Sequence, residues 1–183
     1  MKPDNANLTP VQIQKVVDEC RKIFRKKLSE YGPAWQILRP SSITDQIFIK
    51  AARIRSLQEK GTQKIPEGIR SEFIGIINYG AIGLIQLALG CKDVPDLTQE
   101  QALDWYDRSL RESTELLERK NHDYNEAWRS MRVSSITDII LMKIHRVKQL
   151  EELAGQPVES EGIDANFHDM INYAIFALIL LDN

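Results

Sequence analysis

One phrase occurs twice in the chain, as SSITDQIFIKAAR at residues 41–53 and as SSITDIILMKIHR at residues 134–146. An offset of 93 also aligns Lys27, Tyr31 and Trp35 with Lys120, Tyr124 and Trp128, and one inserted residue then changes the offset to 94. A period of this length exceeds the roughly 20–50 residues of solenoid units. The sequence therefore predicts a tandem duplication, with a first repeat at 9–90, a linker at 91–97 and a second repeat at 98–183.

Each repeat is predicted to form three helices. The first helix opens at Thr9 or Thr98, where a glutamine three residues later completes a capping box. The second helix begins at the SSITD phrase, and the third begins near Gly68 or Gly162. The sequence contains no alternating run of β-branched residues of the kind that forms a strand. We expect an all-α helical bundle in which the repeats pack on each other with pseudo-twofold symmetry, because neither unit alone buries much apolar surface.

Composition excludes several classes of partner and cofactor. The formal net charge is −2, so strong nucleic-acid binding is not expected. The two cysteines lack CxxC spacing, and no zinc, haem or dinucleotide motif occurs. The N-terminus lacks an apolar signal region, and the apolar stretch at 173–181 is too short to span a bilayer. We expect a cytoplasmic protein without a membrane partner, and association into a homodimer stays open.

Two features of the repeated phrase call for explanation. Ser42 and Asp45, like Ser135 and Asp138, fit the capping-box pattern, so the aspartates are predicted to be helix caps. Lys143 falls within the apolar stripe of its helix at about 100° per residue. Its charge should meet a carboxylate on a neighbouring helix or a ligand phosphate, because burying an unpaired ammonium costs several kcal/mol. Alternatively, the side chain extends its ammonium into water.

The third helix of the second repeat is rich in polar side chains. Glu161, Asp164, His168 and Asn172 share one side of it, with Asp169 at the flank. Such a cluster could hold Mg²⁺, or could be a solvated acidic turn that the helix dipole favours. Asp169 and Asn172 reach the part that is apolar on all sides, where a polar group needs a partner.

Two aromatic side chains near the predicted second helix, Tyr124 and Trp128, could stack on a base. The alternative is that they anchor the loop and fill the core.

The second repeat resembles the nucleotide modification associated domain 1 family, found in bacteria and phages and formerly a domain of unknown function. The resemblance rests on K-x-x-D-Y, K-x-x-R, an acidic turn and D-x-x-N-Y-A, which here are Lys120, Asp123 and Tyr124; Lys143 and Arg146; Glu161 and Asp164; and Asp169, Asn172, Tyr173 and Ala174. It implies a connection with nucleotide or base modification. The first repeat, which lacks the two aspartates, would then be a degenerate copy.

The helical layout is more distantly similar to the all-α NTP pyrophosphohydrolases (MazG-like), which carry Mg²⁺ on an E-x-x-E pair and an E-x-x-D pair. Glu161 and Asp164 fit the second pair, whereas Lys143 and Arg146 stand where the first would be.

Two hypotheses follow. In the first, the protein binds a nucleotide or related phosphorylated small molecule and could hydrolyse a phosphate or pyrophosphate bond. Lys143 and Arg146 would then contact phosphate, with Asn172, Lys120 and Asp123 as further ligand-binding residues. Asp169 with Glu161 or Asp164 would hold Mg²⁺ or orient a water, which makes Asp169 and Glu161 the candidate catalytic pair. In the second, the chain is a helical scaffold or partner-binding module, and Lys50 and Lys143 form structural ion pairs.

Overall fold

The computed structural model describes residues 8–61, 66–153 and 161–183, apart from the side chains of Leu8, Pro66, Glu67 and Tyr124. These residues form six α-helices: α1 (Leu8–Tyr31), α2 (Pro40–Lys60), α3 (Pro66–Leu89), α4 (Gln99–Tyr124), α5 (Val133–Glu152) and α6 (Ile163–Leu181). Short 3₁₀ helices, Ala34–Ile37 and Ala127–Ser130, precede α2 and α5. The described residues contain no strand. The predicted all-α bundle of two three-helix repeats is confirmed.

The centre of the bundle is formed by equivalent helices that pack across the duplication. Helix α3 lies against α6 and α2 lies against α5, while α1 and α4 pack on α3 and α6. Small residues allow α3 and α6 to approach closely: a Cβ added at Gly80 would lie 2.6 Å from Ile171, and one at Gly83 would lie 2.8 Å from Phe167. The equivalent positions on α6 are the fully buried Ala174 and Ala177.

The predicted caps are partly confirmed. Thr98 and Gln101 form a capping box, in which the Thr98 hydroxyl accepts from the Gln101 amide at 3.1 Å and the Gln101 side chain accepts from the Thr98 amide at 3.0 Å. The corresponding prediction for Thr9 is wrong, because α1 already includes Leu8. The Thr9 hydroxyl instead donates to Glu126, and Gln12 accepts a hydrogen bond from Arg129.

The prediction that Asp45 and Asp138 cap helices is also wrong. Helices α2 and α5 begin several residues earlier, and neither has a side-chain cap. The two aspartates instead form equivalent ion pairs between α2 and α5: Asp45 lies 3.2 Å from Lys148, and Asp138 lies 4.0 Å from Arg55.

The repeated phrase encodes the packing of α2 against α5. Its residues Ile43, Thr44 and Ile47, and their counterparts Ile136, Thr137 and Ile140, are almost fully buried. The phrase occurs twice because each copy supplies one side of this interface.

One helix, spanning Gly68–Leu89, is long and apolar enough to cross a membrane, with a mean hydropathy of 1.5. Its most apolar window is 61% buried inside the protein, and α1, α2, α4 and α6 all pack against it. Length and composition of this kind are shared by core helices of soluble proteins, so the feature is weak support for a membrane span.

The α2–α5 interface is asymmetric at one polar position. Gln58 donates to the Thr137 hydroxyl at 3.1 Å, whereas the equivalent residue beside Thr44 is Glu151. Burial raises the pKa of Glu151. A hydrogen bond from Thr44 acts in the opposite direction, but burial is the larger effect, so the pKa is raised overall. One of its carboxyl oxygens, Oε1, is buried without a hydrogen-bond partner among the described residues.

Replacing this acid tests the cost of its charge. Glu151→Gln copies the arrangement at Gln58, and we expect it to raise the free energy of unfolding by about 1 kcal/mol at pH 7. The pKa of Glu151 is higher in the folded state, so its ionisation destabilises the fold at neutral pH. The gain should shrink as the pH falls below about 4, where the carboxyl becomes neutral in both states. Urea unfolding at both pH values measures it, and the reverse change Gln58→Glu should destabilise. Equal stability of all three proteins would contradict the prediction.

Candidate functional site

The protein has two cavities at equivalent places in the repeats. The second-repeat cavity, of about 550 Å³, lies between the end of α4, the Ala127–Ser130 turn and α6. The first-repeat cavity, of about 430 Å³, lies between α1, the Ala34–Ile37 turn and α3. Many lining positions correspond, namely Lys27 and Lys120, Trp35 and Trp128, Leu38 and Met131, Gly75 and Asp169, Asn78 and Asn172, and Tyr79 and Tyr173. The duplication has therefore preserved a cavity as well as a fold.

Asp169 on α6 lies between two lysines. Its Oδ2 is 2.8 Å from the Lys143 ammonium on α5, and its Oδ1 is 3.1 Å from the Lys120 ammonium on α4. Only 13% of the Asp169 side chain is exposed, so both lysines reach a mostly buried carboxylate. The prediction that Lys143 meets an anionic group is confirmed, and the group is a carboxylate on a neighbouring helix. Lys120 lines the cavity; Lys143 is not among the described lining residues.

The charge of Asp169 also affects Lys120. Burial lowers the pKa of Lys120, but the hydrogen bond to Asp169 and the charge of that carboxylate more than offset it, so the pKa is raised overall. Lys120 therefore stays an ammonium, with about half of its side chain exposed at the cavity.

Lys50 in the first repeat has a different partner. It lies 3.6 Å from Glu72, which Arg53 approaches to 2.9 Å. Glu72 is one turn before Gly75, the residue equivalent to Asp169. The anion has thus moved by one helical turn between the repeats while the lysine has stayed in place.

Asn172 forms a hydrogen bond that the duplication has preserved. Its Nδ2 donates to the Ser113 carbonyl at 2.9 Å, and in the first repeat Asn78 donates to the Cys20 carbonyl at 3.2 Å. These bonds tie α6 to α4 and α3 to α1.

The side-chain oxygens of these two asparagines differ. Asn78 accepts from the Tyr106 hydroxyl at 2.7 Å. The residue equivalent to Tyr106 is Ile13, which has no donor. The Asn172 Oδ1 is accordingly buried without a hydrogen-bond partner among the described residues. Unsatisfied buried acceptors are uncommon, and this one belongs to a residue of the second-repeat cavity wall.

Aromatic rings form one wall of the second-repeat cavity. Trp128 is 6% exposed and stacks on Phe176 with ring centroids 4.2 Å apart, and Tyr173 meets Phe176 edge-on. The Trp128 indole nitrogen donates to Asn121 at 2.9 Å, and the Arg129 guanidinium lies over its ring. The ring of Tyr124 lies outside the described part of the chain.

The acidic residues predicted to hold a metal are divided between cavities. Glu161 and Asp169 line the second-repeat cavity, as does the exposed Asp123, which was predicted as a ligand-binding residue. Asp164 lines a separate cavity of about 520 Å³ together with His168. Within the ranges that the structure describes, no three Asp, Glu, His or Cys side chains group as metal ligands. Both oxygens of Asp169 already face ammonium groups, so this carboxylate fits a Mg²⁺ site poorly.

Neither Arg146 nor His168 is among the described residues that line the second-repeat cavity. Arg146 donates to Gln149 at 3.4 Å on the same helix. The Nδ1 of His168 is 2.7 Å from the buried Ser113 hydroxyl, and burial lowers the pKa of the imidazole.

The sequence analysis did not predict that Asn121 and Phe176 line a cavity, or that each repeat has one. The signal was present in the alignment of the repeats: Trp35 and Tyr79 recur as Trp128 and Tyr173. These paired residues lie at the cavity walls.

Comparison with known proteins gives one match. A family model described as nucleotide modification associated domain 1 matches residues 27–87 and again residues 120–181. No curated protein matches the chain, and no solved structure matches it. Both matched segments contain the lysine, tryptophan, asparagine and tyrosine that line the cavities.

The shared carboxylate predicts non-additive effects of its two lysines on stability. Lys143→Met should cost about 1–2 kcal/mol, because Asp169 keeps Lys120. The double variant Lys143→Met/Lys120→Met strands a mostly buried carboxylate and should cost about 3–5 kcal/mol, with Asp169→Asn restoring much of the loss. Urea unfolding measures the cycle. Lys50→Met is the matched control, since Glu72 keeps Arg53; simple additivity of the Lys143 and Lys120 effects would contradict the shared pairing.

The lowered pKa of His168 predicts a loss of stability in mild acid. Protonation favours the unfolded state, so stability should be complete above about pH 6.5 and fall as the pH decreases toward the folded-state pKa. His168→Gln, which can still hydrogen-bond Ser113, should remove that part of the decrease. Thermal unfolding between pH 7.5 and 5 compares the two proteins, and identical pH profiles would contradict the prediction.

Proposed function

The chain belongs to the nucleotide modification associated domain 1 family, and from this premise we propose that it binds a nucleotide or related phosphorylated small molecule in the second-repeat cavity. The observation that carries the proposal is the combination, in one cavity of about 550 Å³, of an aromatic wall with the ammonium of Lys120. Small-molecule sites commonly pair a mostly apolar wall with a few polar groups in a volume of about 300–1,000 Å³.

The apolar side of the cavity suits a base. Trp128, Tyr173 and Phe176, with Leu117 and Met131, offer flat and aliphatic surface. Because Trp128 is already stacked on Phe176, the ligand would lie along this wall and need not insert between the rings. Other lining side chains supply hydrogen bonds to base edges or sugar hydroxyls, namely Asn121, Asp123 and Asn172.

A cluster of three charged side chains, those of Lys120, Lys143 and Asp169, suits a phosphate. Lys120 and Lys143 carry two positive charges against the single charge of Asp169. Lys120 is half exposed, so its ammonium can turn toward a phosphate while Lys143 continues to neutralise the aspartate.

Hydrolysis would be a further property of this site. Both oxygens of Asp169 already face lysine ammonium groups, which leaves Glu161 and Asp123 as the cavity carboxylates that could orient a water. A polyphosphate would bring its own Mg²⁺, which can bind through one or two carboxylates together with phosphate oxygens. Glu161 and Asp123 are the residues available for this contact.

The second candidate is a helical scaffold or partner-binding module. It is favoured by the pairing of two inward lysines with carboxylates of the chain itself, Lys143 with Asp169 and Lys50 with Glu72.

A thermal-shift panel separates the two candidates. Nucleosides and their mono-, di- and triphosphates would be tested at millimolar concentration with and without Mg²⁺. A ligand at 100 times its Kd stabilises the fold by about 2.7 kcal/mol, which at about 2–4 °C per kcal/mol shifts Tm by several degrees. Lys120→Gln should abolish the shift with little change in the unliganded Tm, because Asp169 keeps Lys143. The matched control is Lys92→Gln, which alters an exposed lysine in the linker. No shift with any compound would reject the binding proposal in favour of the scaffold, and release of phosphate from a bound compound would identify an enzyme.

A further inference from the structure

The first-repeat cavity has aromatic and asparagine side chains like those of the second-repeat cavity, but the two differ in their charged lining residues. It keeps an aromatic side, formed by Phe24, Trp35 and Tyr79, and it keeps Asn78. Lys27 stands where the second repeat has Lys120. The position of Asp169 is occupied by Gly75, and no acidic side chain is among the described residues that line this cavity.

Gly75 changes what Lys50 can do. A Cβ placed on Gly75 would lie 2.6 Å from the Lys50 Cε and 3.0 Å from its ammonium nitrogen. The Lys50 side chain therefore crosses the space in which the Asp169 side chain begins in the second repeat. Lys50 lines its cavity as a result, whereas Lys143 lies behind Asp169.

The partner of Lys50 does not cancel the charge at the cavity. Glu72 is 8% exposed and is shared with Arg53, which is the closer of the two cations, at 2.9 Å against 3.6 Å. Lys50 also lies 5.7 Å from the centre of the Tyr79 ring, a cation–π contact that places its ammonium beside the aromatic side. Lys27 lines the same cavity, so two lysines belong to its wall.

We infer that the first-repeat cavity is a second ligand site, which takes a phosphorylated aromatic small molecule and selects for the phosphate more strongly than the second-repeat cavity does. Lys50 and Lys27 bind the phosphate, and the ring lies against Trp35 and Tyr79. The ligand class rests on the proposed function; the placement and the selectivity rest on the exchange of Asp169 for Gly75. The first repeat is then a functional half with its own preference.

The three tryptophans make the two sites separable. Trp35 lines the first-repeat cavity and Trp128 lines the second-repeat cavity. Trp105 lines the separate cavity that contains Asp164 and His168. Trp105→Phe/Trp128→Phe leaves Trp35 as the only reporter, and Trp35→Phe/Trp105→Phe leaves Trp128. Fluorescence of each would be titrated with the four common deoxynucleoside 5′-monophosphates and with the matching nucleosides, corrected for absorbance with free tryptophan amide.

We expect at least one monophosphate to change Trp35 fluorescence at a concentration roughly tenfold or more below that of its nucleoside, with a smaller ratio at Trp128. Lys50→Gln should reduce this ratio at Trp35 to about the value at Trp128, because Lys27 remains, and should leave Trp128 unaffected. The fold should persist in that variant, because Glu72 keeps Arg53. Gly75→Asp, which introduces the carboxylate of the second repeat and requires only the flexible end of Lys50 to move, should have the same effect.

Three results would overturn the inference: no response at Trp35, equal response to nucleoside and monophosphate, or equal loss at both reporters in Lys50→Gln. A response at Trp35 with Trp128 silent would support this site while rejecting the proposed second-repeat site.

Discussion

The structure depends on an ammonium group placed on the inward face of the middle helix in each repeat. A lysine in this position needs a nearby anion, because desolvating it alone costs several kcal/mol. The third helix supplies the anion in both halves, from Asp169 to Lys143 and from Glu72 to Lys50. Since the two acids stand one helical turn apart, each repeat satisfies the same constraint with a different local geometry. That difference decides whether the lysine is covered or reaches the cavity.

Packing between the repeats keeps these charges in place. Buried Ile and Thr residues of the SSITD phrase hold α2 against α5, and equivalent ion pairs border that contact. In the contact between α3 and α6, Gly80 and Gly83 let α3 approach the large side chains of α6. Each repeat therefore completes the other's core, and the cavities lie at the outer ends of that core, where a 3₁₀ turn joins two helices.

Divergence after duplication has altered several polar contacts. Ile43, Thr44 and Ile47 recur as Ile136, Thr137 and Ile140, whereas Tyr106 faces Asn78 in one half and its counterpart is Ile13 in the other. One asparagine is fully satisfied as a result, and the other keeps a buried oxygen without a partner among the described residues. Gln58 and Glu151 differ in a similar way. Such exchanges alter hydrogen bonds and local pKa values without altering the fold, because helix packing is set by the shape and burial of the apolar side chains.

The sequence by itself determined the duplication, the all-α class, three helices per repeat and the need for an anion at Lys143, because helical periodicity and the cost of a buried charge are local properties. The prediction that Asp45 and Asp138 cap helices was wrong, because their ion-pair partners, Lys148 and Arg55, are distant in sequence. Only the tertiary structure decided that Lys120 shares Asp169, that Asp164 lies apart from Glu161, and that each repeat has a cavity. Those relations depend on how helices from different parts of the chain are oriented, and no single helix carries that information.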